Sequence, residues 1–158
     1  MVELAHGHAA LVIVNDRPDI ARLSGADGVH VGQDDLAPRD VRHVVGDRAI
    51  VGLSTHTLDQ LTEAVRQPVT YVAIGPVFGS VTKATGYDAV GLDMVRAAAA
   101  CAREASLPLV AIGGITLNTA ASVLQAGAAS VAVIGDLLAS ADPEARVRAF
   151  LDRLGEPS

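Results

Sequence analysis

Six short runs of β-branched and aliphatic residues punctuate the chain: Leu11–Val14, Gly28–Val31, Ile50–Leu53, Tyr71–Ile74, Leu109–Ile112 and Val131–Ile134. Each is nearly continuous in hydrophobicity rather than alternating, which is the pattern of strands buried on both faces of a parallel sheet. Between and after them lie amphipathic stretches predicted to be helical: Asp19–Ser24, Pro38–Val45, Leu58–Arg66, Leu92–Ala105, Leu117–Gln125 and Pro143–Leu154. Pro38 and Pro143 suit a first helical turn, and Thr57 and Thr116 are placed to cap. Gly25, Gly46 and Gly127 stand where a left-handed residue would end a helix. Met1–Ala10 reads as the tail of a helix that leads into Leu11, with no strand ahead of it.

Strand followed by helix, repeated along the chain, implies right-handed βαβ crossovers and a parallel sheet. An open doubly wound sheet usually carries a Gly-rich phosphate turn after its first strand, but here Asn15–Asp16–Arg17–Pro18 follows instead. Polar or glycine residues follow all of the runs: Asn15–Asp16, Gly32–Gln33–Asp34–Asp35, Ser54–Thr55–His56, Gly75–Pro76, Gly113–Gly114 and Gly135–Asp136. Chemistry at the C-terminal end of every strand is the mark of a barrel, because those ends meet around one mouth. A closed barrel of this type takes eight units and at least about 200 residues, and six units are legible here. The expected fold class is therefore α/β: a TIM (β/α) barrel, incomplete, with about six of eight βα units. It should form a single domain over residues 1–158 with a tail at 155–158. Either the chain is a piece of a longer barrel, or it closes against another copy, or it forms a smaller barrel. Unpaired strand edges invite association, so a homo-oligomer is expected.

Composition narrows the function classes. Two Tyr, two Phe and no Trp leave a core of Val, Leu, Ile and Ala, without a stacking platform for bases. A net charge of −6 argues against a polyanion held by bulk charge, so no nucleic acid partner is expected. The single cysteine, Cys101, excludes a disulfide framework and a multi-cysteine metal site. The N-terminus shows no cationic stretch followed by an apolar run, hence no signal peptide. Charge, Gly or Pro interrupts every apolar run short of membrane-spanning length. The expectation is a soluble, acidic, cytoplasmic protein with no membrane partner.

Candidate chemistry follows the strand ends. Taken singly, Asn15–Asp16 reads as a turn, and Gln33–Asp34–Asp35 as a cap for the helix near Pro38. Taken together, Asp16 and Asp35 put carboxylates on the ends of neighbouring strands. Mg2+ is held by one or two carboxylates plus substrate phosphate oxygens, so the pair suits a magnesium–diphosphate site. Ile112–Gly113–Gly114–Ile115–Thr116 offers backbone N–H groups ahead of a helix, an anion site by geometry and dipole, although Gly-Gly pairs are also ordinary turns. Barrels often bind phosphate with the loops after their final two strands, which makes Ile134–Gly135 its partner. The longest loop, Gly75 to Gly91, carries Ser80, Thr82 and Lys83 between Gly79 and Gly86. Two hydroxyls and a lysine between glycine hinges suit a grip on phosphate that closes over the site; the plain alternative is a solvated excursion. Ser54–Thr55–His56 raises nucleophilic catalysis, but no second His or Cys on another strand end completes a relay. His30, inside a strand, reads as a satisfied core histidine, and Cys101, in an Ala-rich helix, as packing.

Several motifs in fixed order resemble the thiamine phosphate synthase family, over roughly Ala9 to Leu154. They are Val14–Asn15–Asp16–Arg17, the stretch from Gly25–Ala26–Asp27–Gly28 through His30 to Gln33–Asp34–Asp35, Ser54–Thr55–His56–Thr57, Gly75–Pro76–Val77–Phe78, Thr82–Lys83, Val110–Ala111–Ile112–Gly113–Gly114–Ile115 and Gln125–Ala126–Gly127–Ala128. The resemblance implies a TIM-barrel transferase of thiamine biosynthesis with two small-molecule substrates and Mg2+ as cofactor. It would join an aminopyrimidine methyl diphosphate to thiazole phosphate and release pyrophosphate. Asp16 and Asp35 are then implied as magnesium ligands, and Asn15, Ser54 and Lys83 as contacts to the pyrimidine diphosphate, with Ser54 and Lys83 catalytic. Ser80, Val81 and Thr82, with Gly114 and the amides of Ile134 and Gly135, are implied as the thiazole phosphate cradle. Ser80 stands where threonine is common and keeps the hydroxyl. Gly135 stands where serine is common and loses a donor. Weaker thiazole phosphate binding is expected from that loss, since a hydrogen bond to a charged group contributes ~1.5–3 kcal/mol.

The implied chemistry is departure of the diphosphate and capture of the pyrimidine carbocation by the thiazole nitrogen. It needs charge neutralisation and alignment rather than a nucleophile. In the family, two further strands precede the point where this sequence starts, and the second carries a Gln…Lys motif that grips the diphosphate. Neither strand is legible here, so family membership and catalytic competence are separate expectations. Two alternatives stand beside the synthase: a thiazole tautomerase-like isomerase that binds thiazole phosphate without the magnesium pair, and a truncated, non-catalytic phosphate-binding relative. Retention of both acidic motifs argues against the isomerase.

Overall fold

The computed structural model describes residues 1–79 and 87–155. Within them, parallel strands pair in chain order: β1 (Ile13–Asn15), β2 (Gly28–Val31), β3 (Ile50–Thr55), β4 (Tyr71–Ile74), β5 (Leu109–Ile112) and β6 (Ser130–Ala132). α1 (Val2–His6) precedes β1, and α2 (Pro18–Ser24), α3 (Pro38–Val45), α4 (Leu58–Ala64), α5 (Gly91–Glu104) and α6 (Ala120–Gln125) lie in the crossovers. α7 (Gly135–Leu138) and α8 (Pro143–Leu154) follow β6. Strand order equal to chain order, with every neighbour parallel, is the (β/α) barrel topology, here a half-barrel of six strands whose edges are β1 and β6. Among the described residues no helix is long and apolar enough to cross a membrane.

Local chemistry sets the helix ends. Pro18, Pro38 and Pro143 occupy first-turn positions, where a missing N–H has no consequence. The Thr57 hydroxyl accepts the Gln60 N–H at 3.1 Å, and Asp142 accepts the Ala145 N–H at 2.9 Å. Thr116 does not cap α6 with its side chain. Residues 117–119 form a turn first, closed by the Thr119 N–H to the Thr116 carbonyl at 3.0 Å, so the helix begins later than expected. Gly25 ends α2 in the left-handed region, whereas Gly46 closes α3 at ψ 173°, outside it, and Gly127 falls one residue past the α6 cap Ala126.

Alternation along the strands divides the sheet into two unlike faces. Val29, Val31, Val51, Leu53, Val72, Ile74, Leu109 and Ala111 are buried. They form one core with Val41, Leu61, Val95, Ala98, Ala102, Ala120 and Val123 of the helices. The residues between them are different: Ile13, His30, Ile50, Ser54, Tyr71, Val110 and Ile112 are only half-buried, and Asn15 is exposed. On that second face only the small residues Gly28, Gly52 and Ala73 are buried, so burial on both faces, as the hydrophobicity suggests, holds in full on the helix side alone. In a closed barrel the inward side chains fill the interior in layers, whereas here they line an open concave surface. Cys101 packs against the core as expected.

Candidate active site

Residues paired in a parallel ladder point to the same face. The registers pair Asn15 with His30, His30 with Gly52, and Gly52 with Tyr71, so these four form one row across the concave surface. Gly52 has no side chain, and His30 and Tyr71 meet over it. The Tyr71 hydroxyl lies 2.8 Å from His30 Nδ1, with the rings stacked at 5.4 Å between centroids. A Cβ on Gly52 would stand 2.1 Å from Tyr71 Cζ and 2.4 Å from His30 Nδ1. On its other side His30 Nε2 lies 2.7 Å from the Ser54 hydroxyl. A continuous relay, Tyr71–His30–Ser54, thus crosses three strands.

This relay corrects two expectations. His30 has both ring nitrogens satisfied, but it belongs to the concave face rather than the core, and Ser54 does have a histidine partner. The arrangement is still not a hydrolase triad. Its third member is a neutral phenol, whose pKa burial pushes up, and a phenol cannot stabilise an imidazolium as a carboxylate does. Burial also pushes the His30 pKa below 6.5, with the Asp35 carboxylate pulling the other way. A neutral imidazole donates through one nitrogen and accepts through the other, so it orders both neighbours without carrying charge. Because the native pKa is depressed, the unfolded chain binds more protons in the window below 6.5. Stability is then lost as pH falls through that window and is recovered above it. Denaturation at about pH 5.5 should show lower stability than at about pH 7.5, with a smaller gap in His30→Gln. An equal gap in that variant would contradict the assignment.

Asp16 directly follows β1 with φ 61°, a left-handed conformation that Asp tolerates better than most residues. Its N–H donates to the His30 carbonyl at 2.8 Å. Asp35 lies in the turn after β2, where its Oδ2 accepts the Gly32 N–H at 2.7 Å. It does not cap α3, whose cap position is Ala37. The Gln33 side-chain amide donates to the Ser54 carbonyl at 2.6 Å and ties this turn to the end of β3. Asp16, Asp35 and Ser54 therefore come from the ends of three consecutive strands, and both carboxylates are exposed. No group of three or more His, Cys, Asp or Glu converges among the described residues. Asp16 and Asp35 offer two hard carboxylates at adjacent strand ends. That fits Mg2+, which takes one or two protein carboxylates and completes its shell with phosphate oxygens and water.

At the far end of the same rim, Gly114 adopts φ 63°, and a Cβ there would lie 2.6 Å from the Gly79 carbonyl oxygen and 2.8 Å from that of Phe78. Only glycine lets the backbone of residues 75–79 lie against this turn. Val77 N–H donates to the Ile112 carbonyl at 2.9 Å and Phe78 N–H to the Gly113 carbonyl at 3.0 Å. Pairing of Ile112 with Ala132 sets the turn after β5 beside the turn after β6, which carries Ile134 and Gly135. Ser80, Val81, Thr82 and Lys83 lie outside the described residues. Sequence reasoning missed His30 and Tyr71 as site residues. The available signal was Gly52, a glycine inside a buried run with a His and a Tyr on the flanking strands.

Comparison with known proteins gives consistent matches. A family model described as thiamine monophosphate synthase (TMP-TENI) matches residues 1–137. The thiamine-phosphate synthase of Synechococcus sp. (strain WH7803) is 48% identical over 154 residues, covering 98% of this chain and 42% of that protein. That of Caldicellulosiruptor saccharolyticus is 40% identical over 154 residues, covering 98% of this chain and 68% of that protein. The chain thus spans between 42% and 68% of the length of these two relatives. The solved thiamine phosphate pyrophosphorylase from Pyrococcus furiosus superposes with a TM-score of 0.81 at 29% identity, over 97% of this chain and 73% of that one. A match that runs from the first helix into α7, on a sheet curled in the same way, makes this chain a member of the thiamine monophosphate synthase family.

Proposed function

We propose that this chain acts as a thiamine phosphate synthase, a transferase that joins an aminopyrimidine methyl diphosphate to thiazole phosphate and releases pyrophosphate. The observation that carries the reading is the placement of Asp16 and Asp35 at the ends of adjacent parallel strands, on one rim with Ser54 and Gly114. In the reaction the bond from the pyrimidine methylene carbon to the diphosphate oxygen breaks, and its electron pair leaves with pyrophosphate. The thiazole nitrogen then gives its lone pair to the methylene carbon, so the positive charge ends on the thiazolium. No proton has to move, which suits a site whose central histidine is neutral.

Asp16 and Asp35 would hold Mg2+, which neutralises charge on the diphosphate when bound. Lys83 adds a second positive charge to the leaving group, and Asn15 and Ser54 orient the pyrimidine diphosphate. Held by His30, the Ser54 hydroxyl has a fixed direction, so it costs little reorganisation when the substrate arrives. The amides of Gly114, Ile134 and Gly135, with Ser80, Val81 and Thr82, receive the thiazole phosphate. An isomerase acting on thiazole phosphate alone would have no use for the acidic pair, which favours the synthase.

Incubation of the chain with both substrates and Mg2+ should yield thiamine phosphate and pyrophosphate in equal amounts, and EDTA should stop the reaction. Binding of thiazole phosphate with no condensation product would overturn the synthase reading in favour of a phosphate-binding relative.

A further inference from the structure

Asp136 and Arg146 form the most shielded arginine–carboxylate pair among the described residues, with side chains 14% and 32% exposed. The contact is a two-pronged fork: Arg146 Nε donates to Oδ2 and Nη2 to Oδ1, each at 2.9 Å. Oδ2 also accepts the Leu117 N–H at 3.2 Å. One carboxylate therefore ties three segments together. Leu117 lies three residues past Gly114 in the turn after β5, Asp136 immediately follows Gly135, and Arg146 comes from α8. The Arg146 guanidinium holds the Asp136 carboxyl below the usual carboxylate range. It is thus ionised at neutral pH, one residue from the Gly135 amide.

That charge raises a physical problem for the turn it braces. A phosphate received on the Gly114 and Gly135 amides would meet a carboxylate close behind them, and like charges repel in a partly desolvated site. We propose that Asp136 and Arg146 are a positioning and charge-balancing pair behind the thiazole phosphate cradle; this rests on the functional reading above. Asp136 aims the two amide-bearing turns at one point, and Arg146 cancels the charge that Asp136 would otherwise present to the phosphate. With glycine at 135 there is no side-chain hydroxyl at that position, so phosphate binding depends on how well the amides are aimed. Fork geometry suits arginine for this task, because a planar guanidinium fixes both carboxylate oxygens at once.

Calorimetric titration with thiazole phosphate, alongside thermal melts, tests the pair. In Arg146→Gln the unbalanced carboxylate should weaken binding by ~10-fold. Arg146→Lys, which keeps the charge and loses the fork, should bind more tightly than Arg146→Gln and more weakly than wild type. In the double variant Asp136→Asn/Arg146→Gln, the repulsion is gone and affinity should recover to within about threefold of wild type. A brace with no electrostatic role would leave the double variant no better than Arg146→Gln, and that result would overturn the proposal. Binding by Arg146→Gln within about twofold of wild type would overturn it as well. Absence of binding by the wild-type chain would overturn the functional reading and the pair's role together.

Discussion

Asp35→Ala is expected to abolish magnesium-dependent turnover, with a fall in kcat of ~100-fold or more. The effect should be large because the proposed reaction uses no protein nucleophile or base to share the work. Departure of a polyanionic leaving group is limited by charge, and a two-carboxylate donor set loses half its protein ligands in one substitution. Asp35 also accepts the Gly32 N–H, so alanine disturbs the turn as well as the charge. Asp35→Asn separates the two effects. An amide oxygen can still accept that N–H, and the turn should survive with a near-wild-type melting curve, while the lost charge should depress turnover almost as far. Unchanged magnesium-dependent turnover in either variant would contradict the assignment of Asp35 as a ligand.

Gly52→Ala should destabilise the fold and disrupt the site together. The new methyl group would lie 2.1 Å from Tyr71 Cζ and 2.4 Å from His30 Nδ1. Neither the backbone nor the rings can yield cheaply, because β3 is held by β2 on one side and β4 on the other. Forcing a methyl into a packed position costs about 1–3 kcal/mol, which for a chain of this size lowers Tm by ~5 °C. Separating the rings also frees His30 from Tyr71, so the Ser54 hydroxyl loses its fixed direction and kcat should fall with stability. Adding Tyr71→Ala to Gly52→Ala removes the nearer collision and leaves the His30 ring room to move aside, so part of the lost Tm should return while kcat stays low. A melting curve unchanged by Gly52→Ala would mean that the two rings do not meet over that residue.

Much of the fold is legible in the sequence for stated physical reasons. β2, β4, β5, α3 and α8 fall where the sequence predicts them, because β-branched runs and first-turn prolines are local signals. The edges are less legible. Leu11 reads as strand from its hydrophobicity, yet it is 65% exposed and β1 begins at Ile13. β6 ends at Ala132, before Val133 and Ile134, because an edge strand pairs on one side only and the chain leaves it early. α7 is a single turn of four residues, too short to show a period. In the site, Asp16 and Asp35 are legible because each lies in the short polar segment that follows a hydrophobic run. His30 is not, because a polar residue within such a run looks like core until the register shows which face it takes. The tie between Asp136 and Arg146 is equally hidden, since it joins residues whose proximity depends on how α8 packs.

That a divalent cation links Asp16 and Asp35 to the substrate diphosphate is tested most directly by calorimetric titration of the chain with the aminopyrimidine methyl diphosphate, with and without Mg2+. Tight binding in Mg2+ that is lost in EDTA, and lost in Asp16→Asn/Asp35→Asn with Mg2+ present, is the predicted result. Equal affinity in Mg2+ and EDTA, or full metal dependence in the double variant, would contradict it.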